Sequence, residues 1–255
     1  MGIMEVVKKG FVQASKLMTL ILIFFVFNVI IGIISLPLTD PANAGKSAIV
    51  AISVISSVLF FLVFVFLQGG AMGLVRDQLK TGSSGIAQFV NYGKTFYLRI
   101  LGLLLIYFLI AIGVVLLLAL ASAGILLMGD NIATRSIVAV IITVVALGII
   151  TFLLYPVYSI VVEDMGPVMA LRKGVMVSKS NFFRTLGLFI VLLVISLIIS
   201  LIVGFIAGLV TIPLGEGVTR VILAIVNAAV QSYIPIVMMI AFMAFYMSLI
   251  HEKNQ

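Results

Sequence analysis

The chain has 255 residues, of which 64% are apolar and 9% charged, and its mean hydropathy is +1.42. Soluble domains carry about a quarter charged residues, so eight acids and fifteen bases cannot cover a surface that faces water. That excludes a soluble globular protein: the exterior has to be lipid, and the length is read in bilayer crossings.

A helix needs about 20 residues to cross roughly 30 Å of hydrocarbon, and cutting the chain at its charges predicts six spans, at 17–38, 48–75, 99–128, 136–162, 185–213 and 221–250. The runs are apolar on every side, which fits helices and not the alternating strands of a barrel. Lysine and arginine set the orientation. Twelve fall at the N-terminus, in the second and fourth connections and at Lys253, against three (Lys46, Arg135, Arg220) in the other connections. Both termini are therefore expected in the cytoplasm. Asp40, Asp130 and Glu216 offset the three outer bases, so the net charge of +7 lies inside. Ala42, Asn43 and Ala44 form a signal-peptidase-like site, but the apolar run before it exceeds the ordinary length for such a signal, and the first span is expected to be retained.

The chain matches itself with a period near 82 residues. Val7-Lys8-Lys9-Gly10 aligns with Val90-Asn91-Tyr92-Gly93 and Leu171-Arg172-Lys173-Gly174, and a base (Lys16, Arg99, Arg184) follows each block. The even spans end alike, in Arg76-Asp77, Glu163-Asp164 and His251-Glu252. This predicts three tandem units, approximately 1–80, 81–165 and 166–255, each an amphipathic interfacial helix followed by a helical hairpin. In the second unit Ile86, Phe89, Val90, Gly93, Phe96 and Tyr97 are expected to share the apolar face. In the first, Ile3, Val7, Phe11 and Ala14 do so. Parallel repeats of this kind differ from the inverted repeats of many secondary transporters.

No ionisable residue falls inside the spans so cut, which weighs against proton-coupled transport. The strongest intramembrane polar groups are Asn28, Gln68, Asn227 and Gln231, the last two on one helix face. Hydrogen bonding between helices accounts for them more simply than a polar path. Gly69-x-x-x-Gly73 and Gly204-x-x-x-Gly208 read as close helix approaches, and Pro156 and Pro235 as bends. Met239, Met243, Met247 and His251 recur every four residues. Such ligands suit Cu(I), but core packing explains methionines as well, and no metal or cofactor is assigned.

Enzyme chemistry has little to work with. There is no cysteine and one histidine, so neither a thiol nucleophile nor a multi-histidine metal site is available. Glu163 and Asp164 precede Gly166-Pro167 and are expected to favour a helix N-terminus there. Gly82 and Gly85 lack the lysine of a phosphate loop. The positive charge is spread along the cytoplasmic interface, which fits anionic lipid better than nucleic acid. The expected contact residues are Lys8, Lys9, Lys16, Lys94, Arg99, Arg172, Lys173, Lys179 and Arg184.

Val161-Val162-Glu163-Asp164-Met165-Gly166-Pro167-Val168-Met169-Ala170-Leu171-Arg172-Lys173-Gly174, continuing to Lys179, Asn181, Phe182 and Phe183, resembles a pattern in a superfamily of six-span prokaryotic membrane proteins. That superfamily includes the membrane domain of glycerophosphoryl diester phosphodiesterases. Gly174 stands where the pattern usually has serine. The resemblance implies a multi-pass module of the prokaryotic inner membrane and carries over no hydrolase domain or metal ligands.

The expectation is thus an all-α integral membrane protein of six transmembrane helices, non-catalytic, touching anionic lipid headgroups or a membrane protein partner through its basic cytoplasmic face. The alternative is a transporter or channel whose path between the hairpins is lined by Asn28, Gln68, Asn227 and Gln231.

Overall fold

The computed structural model describes residues 1–35, 38, 46–127, 129 and 131–252. The site at Ala42, Asn43 and Ala44 lies outside the described residues, as do Asp40, Asp130, Lys253 and the side chain of Glu216. Among the described residues, regular structure is helical throughout. The helices are α1 (Ile3–Ala14), α2 (Met18–Ser35), α3 (Ser47–Thr81), α4 (Phe89–Leu126), α5 (Ile132–Leu153), α6 (Pro156–Val162), α7 (Pro167–Ser180), α8 (Phe182–Thr211) and α9 (Glu216–Glu252), with a 3-10 turn at Ile86–Gln88. Six stretches are long and apolar enough to cross a membrane: Met18–Ser35, Ser47–Thr81, Ile86–Ile125, Ile132–Val162, Phe182–Thr211 and Gly217–Glu252. The protein is a multi-pass membrane protein, because lipid leaves such segments no way to satisfy their backbone except within each helix.

Local signals end and start these helices. Gly82 adopts a left-handed φ of 76° and closes α3 with its N–H on the Gln78 carbonyl at 3.1 Å, as helix C-termini prefer. The Asn131 side chain caps α5 by accepting the Thr134 N–H at 3.0 Å. Pro167 opens α7 at its first turn. The two internal prolines behave differently: Pro156 follows the end of α5 and begins α6, whereas Pro235 sits within a continuous α9. At the break, the Tyr107 hydroxyl donates to the Leu153 carbonyl at 2.7 Å, supplying the partner an interrupted membrane helix requires.

The second amphipathic segment departs from expectation. It is not a separate helix, because α4 runs without interruption from Phe89 into the third span. Its apolar set also divides: Phe89, Gly93 and Phe96 are buried, while Ile86 and Val90 are exposed. The first and third segments are separate helices, α1 and α7.

Two compact units make up the chain, Met1–Tyr97 with Ile190–Gln255, and Leu98–Phe189. In the first, α1, α2 and α3 pack on α9, whose C-terminal half supplies the buried Ile236, Ile240, Phe245 and Tyr246. Between apolar helices in lipid, such packing works through van der Waals contact and needs close approach. Gly10 provides it for α1: a Cβ there would stand 2.9 Å from the Val237 carbonyl oxygen. Gly70 and Gly93 do the same where α3 meets the start of α4, since a Cβ on either would lie 2.7 Å from the ring of Phe89 or Phe66. Gly69 and Gly73 join this crossing, against Phe96 and Tyr92. Gly204 and Gly208, expected to do likewise, have nothing within 4 Å of where a Cβ would be.

In the second unit α7 packs on α5 and α6. Gly174 lies so close to the backbone of Pro156 that a Cβ would overlap it. Thr185 and Tyr155, both buried, share a hydrogen bond of 3.1 Å.

Candidate membrane-interface site

The basic residues expected at the interface fall into three sets. The first set is exposed and interleaved with exposed apolar side chains. On α1, Met4, Lys8 and Val12 follow one another by steps of four and Lys16 continues the row. At the start of α4 the row is Ile86, Val90 and Lys94. On α7 it is Arg172, Met176 and Lys179, continued at the start of α8 by Phe183, which is 84% exposed. Residues three or four apart on one helix share a face, so each row sets cationic beside exposed apolar side chains. Arg184 is exposed beside Phe183.

The second set is held by carboxylates. Arg99 pairs with Asp164 through its side chain and also donates to the Asp164 carbonyl at 3.2 Å, and Lys173 lies 3.3 Å from Glu163. This corrects the expected capping role of the two acids. The N-cap of α7 is Gly166, which has no side chain to offer, and the two acids pair with bases. The third set is Lys9 alone, half-buried on the face of α1 toward α9.

The four amides do not come together. Asn28 donates to Ser232 at 3.0 Å, joining α2 to α9, which is the expected hydrogen bond between helices. Gln231 donates to Asn227 at 3.2 Å within α9, and both are exposed, so this pair bridges no helices. Asn227 lines a groove of about 510 Å³ between α8 and α9 with Ser200, Gly204 and Arg220. Gln68 is half-buried on α3 beside Gly69. Met239 and Met243 are buried in the α9 core.

Sequence reasoning missed one cluster. The Arg76 guanidinium bonds to Asp77 at 3.0 Å and stands over the rings of Tyr92 and Phe96, 5.0 and 5.7 Å from their centres. The Tyr92 hydroxyl donates to Asp77. Nearby, Gln78 donates to Gln13 at 3.1 Å, tying α3 to α1. The signal was present in the alignment of Tyr92 with Lys9 and Lys173 and of Asp77 with the other span-end acids.

Among the described residues, no group of three or more His, Cys, Asp or Glu residues is placed to hold a metal ion. Neither a curated protein nor a solved structure matches the chain. A family model described as "Domain of unknown function (DUF7847)" matches residues 23–249, and with nearly the whole chain covered, the protein belongs to that family.

Proposed function

We propose that this protein is a non-catalytic membrane module whose basic cytoplasmic face engages anionic lipid headgroups. The observation that carries the reading is the set of three stripes, Met4-Lys8-Val12-Lys16, Ile86-Val90-Lys94 and Arg172-Met176-Lys179-Phe183, each placing cationic beside apolar side chains in an exposed row. A helix surface of this kind suits the headgroup boundary, where apolar side chains enter acyl chains and bases meet phosphates. Each base near an anionic surface contributes about 1 kcal/mol.

The reading includes N- and C-termini on the cytoplasmic side of a prokaryotic inner membrane, kinship with the glycerophosphoryl diester phosphodiesterase membrane domain, and the three-unit repeat. Packing supports the repeat. The aligned glycines Gly10, Gly93 and Gly174 press respectively on α9, α3 and Pro156 of α6, so each amphipathic segment rests on an even-numbered span, and the first rests on the last.

The test is lipid enrichment. The variant Lys8→Gln, Lys94→Gln, Arg172→Gln, Lys179→Gln is reconstituted in nanodiscs of mixed phosphatidylglycerol and phosphatidylcholine, and the lipid surrounding it is compared with that of the parent. Loss of phosphatidylglycerol enrichment, and loss of its salt sensitivity, is the expected result; unchanged enrichment in the folded variant overturns the reading.

A further inference from the structure

The repeat offers an internal comparison at the inner end of the even spans. Tyr92, Lys173 and Lys9 occupy one aligned position. In the second unit Tyr92 reaches the span-end carboxylate of Asp77. In the third, Lys173 pairs with Glu163 at 3.3 Å. In the first, the residue aligned with Glu163 is His251, so Lys9 meets a second base where Lys173 meets an acid. Among the described residues no carboxylate pairs with Lys9. The adjacent Glu252 is engaged by the α-amino group of Met1 at 3.3 Å. Between these groups lies a pocket of about 150 Å³, with Leu79, Ala244, Met247 and Ser248 forming the rest of its wall.

We propose that this pocket between α1, α3 and α9 binds a phosphate oxyanion, held by Lys9 and the side chain of His251. A half-buried ammonium without a counter-charge is costly, and an anion removes the cost. The Ser248 hydroxyl donates to Phe245 O at 2.8 Å, and His251 Nδ1 lies 2.8 Å from Met247 O. With Nδ1 donating to that carbonyl, Nε2 is the ring nitrogen left to hydrogen-bond the ligand. Apolar Leu79, Ala244 and Met247 lower the local dielectric and strengthen both contacts. A phosphomonoester near neutral pH carries about 1.5 to 2 negative charges, and lysine is a recurrent point-charge phosphate ligand. A pocket this small holds an oxyanion and no acyl chain. A lipid headgroup as the source rests on the function proposed above; free phosphate offers the same chemistry.

The experiment is native mass spectrometry of the full chain released from nanodiscs containing phosphatidic acid, phosphatidylglycerol or phosphatidylcholine, with and without inorganic phosphate. One phosphatidic acid per chain is expected to survive detergent stripping. Its retention should fall about tenfold or more in Lys9→Met and in His251→Gln, and hold in Lys80→Met, whose exposed base ends α3 outside the pocket. Displacement by millimolar inorganic phosphate assigns the site to the free ion, whereas resistance assigns it to the headgroup. Equal retention in Lys9→Met and the parent overturns the proposal; should Lys9→Met not fold, equal retention in His251→Gln does so. The fourfold Lys8, Lys94, Arg172, Lys179 variant separates the two readings, since it should lose bulk enrichment and keep the single retained lipid.

Discussion

Arg76 and Tyr92 are joined twice: the guanidinium stands 5.0 Å from the ring centre, and Asp77, which holds that guanidinium at 3.0 Å, also accepts a hydrogen bond from the ring's hydroxyl. A cation–π contact in a part-buried setting contributes about 1 to 2 kcal/mol, and a stranded carboxylate adds to the loss. Tyr92→Leu is expected to destabilise the protein by about 2 kcal/mol in detergent, with Tyr92→Phe losing less because the ring remains. Equal losses in thermal unfolding would assign the stability to the hydroxyl alone.

Gly174 and Gly204 make a contrasting pair. Serine at 174 would drive a Cβ into the backbone of Pro156, whereas serine at 204 meets nothing within 4 Å. Overpacking of this kind costs about 1 to 3 kcal/mol. Gly174→Ser should lower the midpoint of unfolding clearly and Gly204→Ser hardly at all, as read by intrinsic fluorescence or scanning calorimetry.

The amides should sort by whether they join helices. Asn28→Leu removes the bond to Ser232, and a double-mutant cycle with Ser232→Ala is expected to give a coupling of about 0.6 kcal/mol, within a range reaching about 1.7. Replacing Asn227 and Gln231 together by leucine removes exposed amides from a span, and stability should hold or rise. A large loss from the second substitution would show that the pair is covered in the membrane.

Asp164 combines a positive φ of 56° with a carboxylate pairing Arg99. The carboxylate is 72% exposed, so the ion pair contributes little, while the backbone conformation is one that β-branched residues resist. Asp164→Asn is therefore expected to be nearly neutral and Asp164→Val to cost about 1 to 2 kcal/mol, measured by chemical unfolding.

The spans were legible because charge placement and hydropathy act locally: five of the six begin within a few residues of the lysine- and arginine-based cuts. The third did not, since nothing local separates the amphipathic start of α4 from its apolar continuation, and helical propensity carried through Tyr97 and Leu98. The basic residues were identifiable, but not which would be exposed. Lys173 and Arg99 look like Lys8 in sequence and differ only because Glu163 and Asp164 meet them. Gly69 and Gly204 share one motif, and only the first has a neighbouring helix against it. Such distinctions depend on tertiary partners far along the chain.

Gly10 rests on Val237 and Ala241, so the first helix of the chain closes against the last. During synthesis α1 leaves the ribosome well before its seat on α9 exists. Until the final span inserts, the faces of α1 and α2 that α9 covers have no partner, and the apolar side of α1 must wait at the membrane surface. Shortening the chain by its last span would therefore unseat its beginning, leaving the contacts of α3 with α2 and with the start of α4 as native ones that can form early in that unit.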